Sequence, residues 1–235
     1  MRAVLKRELS SYFITPAGYV YLGAFFALAG YAFSAAVLNG SADFSSEFVF
    51  LYTVTILLTP ILTMRLFSEE KKQKTDKLLF SAPVSLYGIA AGKLFAAAAV
   101  YCLGLVSVIL QALALNAFAK VNIALLCGNL LGLALVGTAC ISLGMFVSSL
   151  TENQITAAIG TFAAMVLIIS LGSLTGLFKE GVLRTVLEGL SFYEKYYQLT
   201  IGILGVSDVF FFLCFTGIFW FLTVRVLDRR RWAGK

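Results

Sequence analysis

Apolar residues follow one another along this chain in long blocks, and short polar segments separate the blocks. A helix needs about 20 predominantly apolar residues to cross the hydrocarbon core of a bilayer. Pro60 lies inside the second block and predicts a kink there, because neighbouring helices in a membrane can satisfy the carbonyl that a proline frees. The blocks predict six membrane-spanning helices, at residues 16–38, 46–66, 93–117, 121–148, 155–178 and 208–227.

The composition agrees with an integral membrane protein. The 235 residues are 60% hydrophobic and 13% charged, with a mean hydropathy of +0.93, whereas a soluble domain carries about 25% charged residues. The first block is longer than the apolar core of a cleavable signal peptide, so we expect it to remain as a span. The predicted fold is an all-α integral membrane protein.

The basic residues predict the orientation of the spans. If the N-terminus is cytoplasmic, 14 of the 18 lysines and arginines lie on the cytoplasmic side. The positive-inside rule favours this arrangement, with both termini in the cytoplasm. It also accounts for the net charge of +6, so we expect no nucleic-acid partner. The predicted location is the plasma or inner membrane of a bacterium.

Residues 1–15 predict an amphipathic helix that lies in the cytoplasmic interface and contacts membrane lipid. Lysine and arginine side chains on such a helix sit close to anionic headgroups. The alternative is a basic tail that only sets the topology. The apolar side carries Val4, Leu5, Leu9 and Tyr12, and the basic side carries Arg2, Lys6 and Arg7.

Residues 179–207 form the one sizeable segment on the predicted outer side. Leucine and valine recur there at helical spacing between charged residues, which predicts a short amphipathic helix over about 183–190. The aromatic cluster that follows suits the headgroup region of the outer leaflet. Its members are Phe192, Tyr193, Tyr196 and Tyr197.

The sequence contains no arrangement of residues that is typical of an active site or a metal site. The chain has no histidine, the commonest general base and metal ligand. The run from Gly88 to Lys93 is one residue too short for a phosphate-binding loop and lacks the following serine or threonine. We therefore predict no catalytic residue, metal or cofactor on this chain. The four cysteines lie in apolar blocks, so we expect each to be a small buried hydrophobic side chain: Cys102, Cys127, Cys140 and Cys214.

Small and charged residues within the blocks complete the pattern. The pairs Gly128/Gly132 and Gly172/Gly176 have the spacing that lets helices approach closely, and packing within the bundle is the favoured interpretation.

Ion-coupled carriers usually keep ionisable residues near the middle of the bilayer. Glu152 and Asp208 fall at predicted span ends instead, which argues against such a carrier.

The cytoplasmic loop at 67–92 concentrates charge in a way that a simple connection does not need. Glu69 and Glu70 stand among lysines and predict a solvated turn of mixed charge. Thr75 is a good N-cap, and Asp76 suits the positive end of a helix that stops before Pro83. Ser85 can cap the helix of the third span. The apolar tip of the loop helix either contacts another protein or dips into the interface, and it consists of Leu78, Leu79 and Phe80.

These residues resemble the signature of ABC-2-type transporter permeases. The string MRLFSEEKKQKTDKLLFSAPVS, followed by Gly92 and Lys93, carries most of the resemblance. The opening KRELSSYFITPAGYVYLG is similar to a short branch that includes the gliding-motility permease, and FVSSLTENQITAAIG at 146–160 also fits. The chain departs from the pattern at Lys74 and Lys77, where the family often has glycine and glutamate.

The resemblance implies the permease subunit of an exporter, paired with a second permease and with separate ATPase subunits that hold ATP and Mg. It implies that the loop carries a coupling helix, whose apolar tip enters a groove on the ATPase, and that residues 1–15 form an elbow helix carrying Arg2, Lys6 and Arg7. Alternatives are an ATPase-driven assembly complex without transport and an ion-coupled carrier. The implied coupling residues are Glu69, Glu70, Thr75, Asp76, Leu78, Leu79, Phe80 and Pro83.

Overall fold

The structure is a computed structural model, and it describes residues 2–38, 45–74, 85–116, 123–173, 189, 191–200 and 205–233. The described residues form helices and no strand, which confirms the all-α prediction. Within those residues the helices are α1 Arg2–Ile14, α2 Pro16–Leu38, α3 Ser45–Thr63, α4 Ser68–Lys72, α5 Leu86–Asn116, α6 Ile123–Leu150, α7 Gln154–Ser173, α8 Phe192–Thr200 and α9 Val206–Ala233.

Five helical stretches are long and apolar enough to cross a membrane, and they coincide with five of the six predicted spans. The other predicted span corresponds to α7, whose apolar part Gln154–Ser170 is shorter; residues 174–178 lie outside the described part of the chain. The chain is therefore a multi-pass membrane protein, and its sixth span stays a prediction. The five stretches are Pro16–Leu38, Ser46–Lys72, Leu86–Asn116, Ile123–Leu150 and Val206–Arg231.

Helix α5 begins earlier than the predicted third span. Ser85 caps it as predicted, because the Ser85 hydroxyl accepts a hydrogen bond of 3.2 Å from the backbone N–H of Gly88. The run from Gly88 to Lys93 is part of this helix. From Ile89 onward its backbone N–H groups can therefore be bonded within the helix ladder.

Helix α6 lies at the centre of the bundle, where one tyrosine joins three helices. The ring of Tyr101, on α5, occupies the space beside Gly137 of α6, so that a Cβ added there would lie 2.2 Å from the ring. The Tyr101 hydroxyl donates a hydrogen bond of 2.8 Å to the carbonyl of Leu133 and lies 3.3 Å from the hydroxyl of Thr55 on α3. Phe25 of α2 meets the same ring edge-on.

Along α3, the hydroxyls of three threonines find hydrogen-bond acceptors within their own helix. The hydroxyls of Thr55, Thr59 and Thr63 donate to carbonyls four residues earlier, at 2.8, 2.5 and 3.0 Å. The helix passes through Pro60 without an interruption. The three threonines therefore form a polar stripe within the apolar bundle, and each of their hydroxyls is hydrogen-bonded.

The short helix α8 rests on the glycines that the sequence singled out. A Cβ at Gly132 would lie 3.2 Å from Leu199, and one at Gly172 would lie 2.6 Å from the Ser191 hydroxyl. The prediction that Gly128 and Gly132 serve packing within the bundle is confirmed, because both face Leu199. Gly176 and the predicted helix at 183–190 lie outside the described residues.

Two sequence predictions about side-chain environment are partly wrong. Phe192 and Tyr196 are buried in the bundle, and Tyr193 and Tyr197 alone of the aromatic cluster are exposed, because α8 turns one face inward. Cys140 is buried as predicted. The other three cysteines face the outside of the bundle on α5, α6 and α9, since an apolar block in a membrane helix can face lipid as readily as protein; they are Cys102, Cys127 and Cys214.

Gly137→Ala tests the central contact. A glycine-to-alanine change inside a helix normally stabilises it by about 0.5–1 kcal/mol. Here the added methyl group displaces the Tyr101 ring, and we expect a loss of about 1–3 kcal/mol in the free energy of unfolding. The measurement is the thermal unfolding midpoint in detergent micelles. Gly217→Ala is the control, because nothing lies within 4 Å of a Cβ there; equal shifts in both variants would contradict the packing.

Candidate functional site

A buried lysine occupies the end of the bundle where α1, α4 and the start of α5 meet, here called the basic end. Lys93, on α5, is 1% exposed. Its ammonium group lies 3.1 Å from a carboxylate oxygen of Glu8 on α1 and 3.0 Å from one of Glu70 on α4. It donates a further hydrogen bond of 2.6 Å to the carbonyl of Leu66 and lies 5.0 Å from the centre of the Phe67 ring.

A second cation completes this arrangement. The guanidinium of Arg7 donates to the same oxygens of Glu8 and Glu70, at 2.7 Å each. The hydrogen bond with Glu8 is the main reason that the pKa of Arg7 is raised above its ordinary value. Two carboxylates and two cations thus neutralise one another, and this four-residue group is called the charge cluster below. The pairing offsets the desolvation that buried charges suffer.

The sequence of α1 places Glu8 against Lys93. Val4, Glu8 and Tyr12 are four residues apart and therefore share one face of the helix. Val4 packs on Gly92, where an added Cβ would lie 3.0 Å away. The Tyr12 hydroxyl donates 2.8 Å to the carbonyl of Leu62, and burial raises its pKa, so it remains a donor. Helix α1 is thereby fixed to protein along its inner face.

The end of α6 holds the turn between α3 and α4. The Ser148 hydroxyl accepts hydrogen bonds from the backbone N–H groups of Phe67 and Ser68, at 3.1 and 3.2 Å. These are N–H groups that the start of α4 leaves without a partner inside the helix. The same hydroxyl lies 3.2 Å from the carbonyl of Met64, to which it can donate. One serine therefore fixes the direction in which the chain enters α4.

Two cations cover the carbonyl end of α6, which is the negative end of its dipole. The ammonium group of Lys71 donates to the carbonyl of Ser149 and, at 3.3 Å, to that of Thr151. Arg230 of α9 donates 3.3 Å to the carbonyl of Leu150. Helices α4 and α9 are thus attached to the same helix end.

The predicted coupling residues divide into two groups. Glu69 and Glu70 are described, and both carboxylates are paired within the chain, Glu69 with Arg65 at 2.6 Å and Glu70 in the charge cluster. The prediction of a solvated turn is wrong for Lys71, which is 7% exposed because it caps α6. The remaining predicted coupling residues lie outside the described part of the chain, so their role stays a prediction: Thr75, Asp76, Leu78, Leu79, Phe80 and Pro83.

The predicted elbow residues also differ from one another. Lys6 is exposed, whereas Arg7 belongs to the charge cluster. The side chain of Arg2 lies outside what the structure describes. Sequence reasoning missed Glu8 and Lys93 as partners, although Glu8 is the single acidic residue of α1 and falls on its apolar face.

The charge cluster connects three helices. Among the described residues, no group of three or more histidine, cysteine, aspartate or glutamate side chains can hold a metal. What the geometry provides is a rigid joint between α1, α4 and α5. In the sequence, residues 75–84 connect α4 with α5, and both helices belong to this joint.

Lys93→Met tests the joint. The change leaves Glu8 and Glu70 with less compensation in a largely buried place, and we expect the free energy of unfolding to fall by about 3 kcal/mol. Trypsin should then cut α1 after Lys6 or Arg7 faster than in the wild type, and adding Glu8→Gln should reverse part of the loss. Lys72→Met, at an exposed neighbouring position, is the control. Unchanged cleavage in Lys93→Met would refute the joint.

The family comparison agrees with this architecture. The profile of the family described as ABC-2 family transporter protein matches residues 35–224. That range includes Glu70, Lys93 and Ser148, which hold the basic end together. No curated protein matches the chain. Because the match covers most of the 235 residues, the chain belongs to the ABC-2 family of transporter proteins.

Proposed function

We propose that this chain is the permease subunit of an ABC transporter that exports its cargo and is driven by a separate ATPase subunit. The observation that carries the proposal is the family match over residues 35–224. ABC-2 permeases normally work with an ABC ATPase, which binds the ATP and the Mg. The chain itself hydrolyses no nucleotide under this proposal.

The charge cluster supports a path by which movement of the ATPase would reach the membrane helices. Residues 75–84 connect α4 with α5, and both ends of that connection are anchored: Glu70 pairs with Lys93, and Lys71 caps α6. Under the proposal, the apolar tip Leu78–Phe80 enters a groove on the ATPase, and nucleotide-driven closure of the ATPase pair pulls on the joint. The contacts of Glu70 and Lys71 then transmit the movement directly to α1, α5 and α6.

The proposal also assigns topology and partners. The basic end faces the cytoplasm of a bacterium, with six spans in the inner membrane and both termini inside, as the distribution of lysine and arginine favours. Two permeases, identical or homologous, form the pathway. The opening stretch KRELSSYFITPAGYVYLG is similar to the short branch that includes the gliding-motility permease, and this similarity supports a proposed membership of that branch.

Capture of the complex from its own cells tests the proposal. The chain is purified in mild detergent, and nucleotide-binding proteins that come with it are identified and assayed for ATP hydrolysis. We expect an ATPase in near equal amount, with turnover that vanadate inhibits. An ATPase whose turnover responds to no cargo would favour the assembly complex. Recovery of the chain alone, with transport driven by an ion gradient in vesicles, would favour the carrier.

The pair Leu78→Asp and Leu79→Asp tests the coupling helix. Two carboxylates cannot enter an apolar groove without a large desolvation penalty, so we expect ATPase capture to be lost while membrane insertion persists. Tyr193→Asp with Tyr197→Asp is the matched control, because it adds the same charge at exposed positions of α8. Normal capture by the double leucine variant would show that the tip does not bind the ATPase.

A further inference from the structure

One exposed face of α9 changes from apolar to basic towards the end of the helix. Its apolar part contains Ile218 and Phe221, which are 57% and 42% exposed. Arg225 and Arg229 follow and are exposed as well. These four residues share one side of the helix, because successive members are three or four positions apart. They are called the α9 outer face below.

The basic part of this face lies beside the end of α6. Phe219 of α9 meets Phe146 of α6 with 5.6 Å between ring centres. Further along α9, Arg230 donates to the carbonyl of Leu150, the last residue of α6. Arg225 stands between these two contacts in the sequence of α9, so it lies level with the end of α6.

The distribution of charge along α9 indicates that this level is a membrane boundary. The stretch Val206–Arg231 is long and apolar enough to span a membrane. Apart from Asp208 near its start, the charged residues of this stretch begin at Arg225. A long arginine side chain at the end of a span extends its guanidinium towards the headgroups and keeps its hydrocarbon stem among apolar groups.

The described chain supplies no anion for the two arginines. Its ion pairs involve neither Arg225 nor Arg229, and Asp228, which stands between them in the sequence, is within ion-pair distance of neither. The guanidinium of Arg225 instead lies 5.2 Å from the centre of the Phe221 ring. Such a cation–π contact helps to position the guanidinium but leaves its charge unneutralised.

We propose that the α9 outer face binds an anionic phospholipid, whose phosphate lies between Arg225 and Arg229 and whose acyl chains lie along Phe221 and Ile218. Residues four apart on a helix have about 5–6 Å between their Cβ atoms, so both guanidinium groups reach one phosphate. A guanidinium can donate two parallel hydrogen bonds to a phosphate. The order of groups along the face, apolar and then basic, matches that of acyl chain and phosphate in a bilayer lipid.

Two protein partners fit this face less well than a lipid does. A second copy that packs through the same face about a two-fold axis places like charges against one another. A soluble ATPase does not cover Ile218 and Phe221, which continue the face into the span. The inference goes beyond the proposed function: it requires a membrane but no ATPase or cargo, so its failure leaves the permease proposal standing.

Native mass spectrometry of the full chain in a neutral detergent tests the site. Phosphatidylglycerol and phosphatidylcholine with identical acyl chains are titrated separately, and the bound fraction gives each dissociation constant. Each arginine near an anionic headgroup contributes about a fivefold preference. In the wild type, one phosphatidylglycerol should therefore bind saturably and at least about tenfold more tightly than phosphatidylcholine.

Substitutions on α9 locate the site. Arg225→Gln and Arg229→Gln should each lower the preference for phosphatidylglycerol about fivefold. Arg225→Lys keeps the charge and loses the planar fork, so it should lose less than Arg225→Gln does. Arg231→Gln is the matched control, because it removes the same charge from an exposed position on another side of the same helix end. It should bind both lipids as the wild type does.

Four results would overturn the proposal. The first is equal affinity for the two lipids in the wild type. The second is an equal loss in Arg225→Gln and Arg231→Gln, which would indicate attraction to the total charge and no defined site. The third is a dimer that Arg225→Gln dissociates without changing the lipid preference, which would assign the face to a second copy. The fourth is displacement of phosphatidylglycerol by an equal concentration of inorganic phosphate, which would indicate a site for the free anion.

Discussion

A lysine ammonium group that is almost completely removed from solvent cannot stay charged unless its surroundings replace the lost water. Around Lys93 the replacement is a carboxylate from α1, a carboxylate from α4, a backbone carbonyl and an aromatic ring. Each of these comes from a segment other than α5, and for α1 the contact adds to the packing of Val4 on Gly92. The electrostatic requirement of one side chain is therefore met only where α1 and α4 both lie against α5, and the packing of Val4 and the hydrogen bonds of Ser148 support the same placement.

Satisfied and unsatisfied polar groups are distributed unequally between the two ends of the bundle. At the basic end, ionisable side chains pair with one another or cap α6, which makes that end rigid and leaves little capacity for a ligand inside it. At the opposite end, Glu47 and Asn129 keep hydrogen-bonding capacity that the described chain does not use.

The helices could be predicted from the sequence because long apolar blocks are local features. The family could be predicted because its motif is contiguous. The blocks located five spans, and Ser85 was identified as a cap from its position alone. The partners of Lys93 could not be found in this way, because Glu8 and Glu70 are far from it in sequence and charge pairing leaves no periodic signal. Glu47 was overlooked for a related reason: one carboxylate at the start of an apolar block is typical of a span end, and its burial is a result of tertiary packing.

The threonines of α3 have a mechanical consequence. The hydroxyls of Thr59 and Thr63 donate hydrogen bonds to their own helix, although Thr63 lies directly against Gly144 of α6. A displacement of α3 relative to α6 would therefore break neither of these two hydrogen bonds. Directional attachment of α3 to its neighbours comes instead from two tyrosines, Tyr101 at the hydroxyl of Thr55 and Tyr12 at the carbonyl of Leu62, so these hydrogen bonds and side-chain shape are what hold the helix in place.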